Sequence, residues 1–406
     1  MRRIVFWALL VLLCAGAFML AFNVRLVRAQ APETVYINSD GSVSPSSAPI
    51  STVDNVTYTF TGNISYPTYY GIVVDRSNIV IDGNGYALQG FNDSGTGLSN
   101  QMSNVKIEDI NIKSFSDGIY LDTSSNDTVS DNSVTANGGT GVLLADSSND
   151  TISRNAETAN YDGIWLDYSS GNNIVSGNNA TGNSAYGIDL QDSSNYNTVS
   201  GNTATASSYG IYLDGSSNNT VNGNEATANS DSGIYIYSSF DCIVSGNNVS
   251  ANTYDGIYLG TSYNNIVSSN NVTANSEDGI YLENSSNNII YHDNFVGNSV
   301  QAYANSTSLG NAWNLGYPSG GNYWSDYQTK YPNAAEIDSS GIWNTPYAID
   351  ANNTDYYPLM NQVAVVPEFQ PFMLLPLFMM ITLLGAVGFK KRRNARPRTG
   401  IDKTIV

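Results

Sequence analysis

Asp167, Asp189 and Asp214 stand four, two and four residues after three glycines of a recurring series, Gly163, Gly187 and Gly210. If these glycines open equivalent strands in successive layers, the three carboxylates share one surface, with the Asp189 Cα about 8 Å from each neighbour. Carboxylates whose oxygens lie ~6.5–9.5 Å apart suit an inverting glycosidase, where one protonates the leaving oxygen and the other activates water. Trp165 and Tyr212 would flank the sugar. The same acids also occur on any solvated face rich in Asn and Asp, with no catalytic role, and both readings stand.

The column that Asp189 interrupts is aromatic. Two residues after successive glycines come Tyr120, Leu143, Trp165, Asp189, Tyr212, Tyr235, Tyr258 and Tyr281. Two positions further along come Asp122, Asp167, Asp214 and Glu283. Tyr120, Trp165, Tyr212, Tyr235, Tyr258 and Tyr281 then form a track on which sugar rings stack. Alternatively they stack on one another, at roughly 0.5–1.5 kcal/mol per pair. A polysaccharide lyase fits less well, because Arg154 is the only basic residue between 114 and 329 and an acidic sheet repels polyuronates.

What must position these groups is a repeat. Gly118, Gly141, Gly163, Gly187, Gly210, Gly233, Gly256 and Gly279 are separated by 23, 22, 24, 23, 23, 23 and 23 residues, with looser copies at Gly71 and Gly97. Each unit holds three short runs rich in Ile, Val, Thr and Tyr, too short for helices and bounded by Asn, Ser and Gly. Asn recurs at the corners in three rows. These are Asn126, Asn149, Asn172, Asn195, Asn218, Asn264 and Asn287; Asn132, Asn155, Asn178, Asn202, Asn224, Asn247, Asn270 and Asn294; and Asn137, Asn160, Asn183, Asn229, Asn252, Asn275 and Asn298. Asn tolerates the left-handed backbone of a sharp corner, and its amide can bond the same amide one layer away. Three strands and three corners in each repeat describe an all-β, single-stranded, right-handed parallel β-helix of about ten coils, ~50 Å long at ~4.8 Å per coil. Ile119, Val142, Ile164, Ile188, Ile211, Ile234, Ile257 and Ile280 would form one inward column, and Leu121, Leu144, Leu166, Leu190, Leu213, Ile236, Leu259 and Leu282 the next.

These repeats resemble the parallel β-helix proteins of the pectin-lyase-like fold, particularly the NosD-like family with its carbohydrate-binding and sugar-hydrolysis type repeats. "NIVIDGNGYALQG" (78–90) is similar to the first-coil motif of such proteins. "NAWNLGYPSGGNYWSDY" (311–327) and "NTPYAIDANNTDYYPLM" (344–360) resemble the tail that closes NosD-like helices, most familiar from archaeal surface proteins. The resemblance spans roughly 34–360. It implies outer-sheet catalytic groups where a member is an enzyme, and by family name it implies copper handling. Copper(I) prefers clustered Cys, Met or His. Between the terminal segments the chain offers only Cys242, His292, Met102 and Met360, so no metal or cofactor is expected. His292 reads as a corner or cap residue, and Cys242 as packed in a strand. Trp313, Trp324, Asp326, Tyr347 and Tyr356 read as a seal over the open apolar end.

The two ends have a different character. Arg2-Arg3 precede an apolar run from Ile4 to Phe22, and Ala29-Gln30-Ala31 offers a cleavage site, so 1–31 is a signal peptide or an uncleaved anchor. Residues 32–70 are expected as an N-terminal cap, 71–300 as the repeats, 301–362 as the C-terminal cap and 363–371 as a linker. Residues 372–389 form an uncharged run broken only by Pro376 and Gly385, and Lys390-Lys391-Arg392-Arg393 open a basic tail over 390–406. Eighteen residues span ~27 Å, enough for one transmembrane helix, with the basic tail cytoplasmic. "VPEFQPF" (366–372) resembles a PEF-type sorting signal, which implies an archaeosortase-type processing partner; a permanent anchor is the alternative. The chain carries a net charge of −19, and between 32 and 366 only Arg76, Lys106, Lys113, Arg154 and Lys330 are basic. Such a surface excludes nucleic acid as a partner. The expectation is a β-helix displayed outside the cell and anchored in the cytoplasmic membrane, binding a polysaccharide or surface glycan without catalysis. An inverting glycoside hydrolase and an architectural spacer or adhesin are the alternatives.

Overall fold

The computed structural model describes residues 34–65 and 70–364. The expected signal segment, PEF motif, transmembrane helix and basic tail lie outside them. Among the described residues no helix is long and apolar enough to cross a membrane.

The short runs form strands of two to six residues, which stack into one 13-stranded sheet and two 12-stranded sheets. Apart from antiparallel pairs formed by Val43–Ser44 and Ile50–Ser51 at the start, the chain visits the three sheets in turn and pairs each strand in parallel with its counterpart one repeat later, giving about eleven turns of a parallel β-helix. The register is one-to-one: Ile119 pairs with Val142, Val142 with Ile164, Ile164 with Ile188, and so on to Ile280. Both expected inward columns are fully buried. A side chain of this kind contributes about 1.5–3 kcal/mol when removed from water, and only stacked coils remove it.

Two kinds of residue make the corners. The first adopts the left-handed region: Asn126, Asn149, Asn172, Asn218, Asn264 and Asn287 at one corner, and Ala136, Ala159, Ala206, Ala228, Ala251 and Ala274 at another. The second follows at once and is buried. Asn132, Asn155, Asn178, Asn202, Asn224, Asn247 and Asn270 form a continuous amide ladder, each Nδ2 donating to the next carbonyl oxygen at 2.9–3.1 Å. It ends on Asp293, to which Asn270 donates at 2.8 Å. This corrects the expected last member, Asn294, whose amide faces outward and grips the Val363 backbone. The row from Asn126 also differs from expectation. The Asn126 and Asn149 amides bond the adjacent serine hydroxyls, Asn195 accepts from the Ser217 N–H, and the buried ladder runs one or two residues later, through Asp127, Asp150, Asn173, Asn197 and Asn219. The third row stacks as expected except that Ser207 stands between Asn183 and Asn229. Cys242 lies at a corner just before the strand Ile243–Ser245, in the buried-ladder position between Asn219 and Asn265, rather than within a strand.

At the far end the apolar bore is closed by stacked rings. Trp324 lies 4.3 Å from Tyr347 and 4.8 Å from Phe295, and Trp313 6.0 Å from Trp324. The indole N–H of Trp324 donates to Asp355 and that of Trp313 to Asn353. Asp326 accepts from the Tyr347 hydroxyl. Tyr356 is exposed and takes no part in this seal. His292 is a left-handed corner residue held by the Ser319 carbonyl.

Candidate functional site

The outer face of the 13-stranded sheet carries the residues singled out above. Registered pairing puts Tyr120, Leu143, Trp165, Asp189, Tyr212, Tyr235, Tyr258 and Tyr281 in one column and extends it to Tyr303, whose place the shorter last repeat concealed in the sequence. A second column brings Tyr186 beside Tyr209, two rings that the two-after-glycine rule passes over because they precede the glycine.

The rings of the middle coils stack on each other. Tyr212 and Tyr235 are 5.0 Å apart with planes 5° from parallel, and Tyr235 and Tyr258 are 4.3 Å apart at 6°. Their faces are turned to their neighbours, so solvent meets ring edges and hydroxyls. Tyr258 leans over Gly260, where a Cβ would come within 2.6 Å of its ring, and donates a hydrogen bond to Glu283. Burial first, and then that acceptor, raise the Tyr258 hydroxyl above its ordinary pKa. Outside the stack the rings turn: Tyr281 meets Tyr258 edge to face at 86° and Tyr303 at 66°, and Tyr209 meets Tyr212 at 64° and Tyr235 at 68°. Tyr303 is about half exposed, at 48%.

The carboxylates are less open than solvated surface acids. Asp189 is 1% exposed; its Oδ2 accepts from Gln191 Nε2 at 2.6 Å while its Oδ1 has no partner. Burial, then the nearby charge of Asp162, pushes it well above the usual carboxylate range. Asp162, also buried, is raised to about 6 by burial. Asp167 is buried and accepts from the Tyr168 N–H; Asp214 is partly buried; both are shifted upward, first by burial. Asp167 and Asp214 both act electrostatically on Asp189, but Asp189 is almost fully buried rather than open beside them. Tyr186 packs on Tyr212 at 4.6 Å on this side. The Trp165 indole N–H, one layer from Asp189, is likewise buried and unpartnered.

None of the strands of this sheet carries a basic residue, whereas Asp117, Asp122, Asp162, Asp167, Asp189, Asp214, Asp278 and Glu283 all lie on them. The cations are elsewhere. Lys106 pairs with Glu108 at 2.6 Å, and Arg154, at a corner after the strand Thr151–Ser153, pairs with Asp131 at 2.7 Å. Lys330 lies over Tyr347 in the C-terminal cap.

Residues 48–204 match a family model described as a right handed beta helix region, and residues 176–329 match one described as periplasmic copper-binding protein (NosD). No curated protein matches the chain in sequence. Among solved structures it is similar to the A-module of the Azotobacter vinelandii mannuronan C-5 epimerase AlgE4, with 18% identity, a TM-score of 0.54, and 64% of this chain and 83% of that one covered. The Dettilon tailspike protein aligns at 16% identity and a TM-score of 0.44, over 62% of this chain and 59% of that one. At these identities the likeness is one of fold.

The residues present do not fit a copper centre. Cys242 is fully buried, its thiol raised to about 11 by burial; His292 is committed to Ser319; Met102 and Met360 pack against the core. Among the described residues no three His, Cys, Asp or Glu side chains are grouped to hold a metal. What the matches and the topology share is the scaffold: this chain is a right-handed parallel β-helix protein.

Proposed function

We propose that the protein binds a linear polysaccharide along the tyrosine-bearing face of its 13-stranded sheet, displayed outside the cell and tethered by residues 372–389. The observation that carries this reading is the unbroken run of rings over five coils, Tyr212 to Tyr303, next to Tyr186 and Tyr209. Coils repeat every ~4.8 Å, close to the length of one pyranose unit in an extended chain. The self-stacked rings of Tyr212, Tyr235 and Tyr258 make a stiff ridge, while Tyr281 and Tyr303 are rotated out of that stack and the half-exposed Tyr303 offers ring surface. Asp189, 1% exposed, is not an open partner for Asp167 and Asp214, which favours binding over hydrolysis.

The test is electrophoresis of the full-length chain in detergent through gels cast with linear polysaccharides. Retardation by at least one of them is expected, with the double variant Tyr281→Ala/Tyr303→Ala weakening it about tenfold or more. Unretarded wild-type migration in every gel would leave the protein an architectural spacer. Release of new reducing ends, abolished by Asp189→Asn, would instead establish the hydrolase.

A further inference from the structure

The aromatic column has one polar interruption, at Asp189, and two of the buried polar atoms that lack a partner among the described residues lie there side by side. Asp189 Oδ1 and Trp165 Nε1 are both sealed from solvent without a partner, on register-paired residues one layer apart. Leaving such an atom unpaired costs about 1–3 kcal/mol, and native proteins keep few of them. One is an acceptor when the acid shows its carbonyl oxygen and a donor when it shows its hydroxyl; the other is a donor only. A sugar hydroxyl, donor and acceptor at once, satisfies both. Tyr186 and Tyr212, whose rings lie 4.6 Å apart, both stand close enough to Asp189 to feel its charge, and the subsite requires one of these side chains to swing aside.

The charge around this spot selects among sugars. Asp162, Asp167 and Asp214 surround Asp189, and no cation lies on any strand of the sheet. A ligand carboxylate placed here meets only like charge. A metal cation finds no group of three ligating residues among those described. Resting on the glycan-binding reading above, we propose that Asp189 and Trp165 form a hydroxyl-binding subsite, and that the face takes uncharged polysaccharides and rejects polyuronates.

Gel retardation of the full-length chain by xylan, mannan, a mixed-linkage β-glucan and polygalacturonate tests both parts. Trp165→Phe keeps the ring and removes only the N–H. Asp189→Asn keeps one donor and one acceptor, and Asp189→Leu removes both; leucine already stands in this column at Leu143, and a thermal melt confirms folding. Retardation by one or more neutral polymers and none by polygalacturonate is expected, with Trp165→Phe and Asp189→Leu each weakening the neutral ligand about tenfold and Asp189→Asn changing it less than about threefold. If Tyr281→Ala/Tyr303→Ala weakens binding while Trp165→Phe and Asp189→Leu do not, the ridge stands and the subsite falls. Equal retardation by polygalacturonate overturns the selection by charge. If no polymer binds the wild type, the glycan-binding reading itself fails.

Discussion

The corner ladders and the outer face of the first sheet answer the same problem, where to put polar groups in a stacked solenoid, in opposite ways. In the ladder, Asn247 Oδ1 accepts from both the backbone N–H and the Nδ2 of Asn224, and its own Nδ2 donates to Val221 and Asn270. Every amide is bound, so the row tolerates full burial and repeats with almost no variation. On the outer face the repeat varies from coil to coil: tyrosine, leucine, tryptophan, aspartate. Two of its buried polar atoms are unpaired there. Invariance therefore marks what the stack requires, and the outer column, which the stack constrains less, varies.

The contrast breaks most severely inside the ladder. Asn247→Leu removes four hydrogen bonds, stranding the buried Asn224 backbone N–H and taking the amide donor from the Val221 carbonyl, and a loss of about 3–5 kcal/mol in unfolding free energy is expected from urea denaturation. The effect is smaller and opposite in sign at Glu157. This residue replaces an apolar inward residue between Val134 and Ala180, is fully buried, and has neither oxygen paired. Burial pushes it well above the ordinary carboxylate range. Glu157→Val, similar in volume, is expected to raise stability by about 1–3 kcal/mol; a lower midpoint would show that the carboxyl has a partner in solution.

Acids within the ladder sharpen the comparison through pH. Asp127 is raised to about 6 and Asp150 to about 7 by burial, and Asp293 likewise to about 7. A carboxyl whose folded pKa lies above its unfolded value binds more protons when folded, so its contribution to stability is complete below about pH 4 and is lost as pH rises through about 6–7. The melting temperature should therefore be higher at pH 5 than at pH 8. Asp150→Asn, which restores the residue type found at Asn173 and Asn197, should flatten that slope and stabilise the protein at pH 8 by about 1–2 kcal/mol. An unchanged slope would place the titration elsewhere.

The glycine interval and the inward Ile and Leu columns were enough to read the three-sheet solenoid, its register and the outer aromatic column, because vertical stacking forces like residues to align. What lay beyond such reading was conformational. Nothing in the spacing distinguishes Asn126, which turns the chain, from Asp127, which is buried beside it. Nor does spacing tell whether tyrosines one layer apart lie face to face, as Tyr235 and Tyr258 do, or crossed, as Tyr258 and Tyr281 do. Asp189 looked like an exposed acid because spacing along the strand does not show how far neighbouring side chains bury it. A glutamate at 157 was visible, but alternation alone would have shown that it points inward.

The central claim is that the tyrosine face, and not the other exposed rings, meets the ligand. Hydroxyl-radical footprinting of the full-length chain with and without a retained polysaccharide tests it directly, since Phe240 and Tyr263, stacked at 5.5 Å on a different corner, serve as the internal reference. Protection of Tyr209, Tyr281 and Tyr303 with Phe240 and Tyr263 unchanged is the predicted result. Protection of Phe240 and Tyr263 alone, with the tyrosine face unaltered, would contradict it.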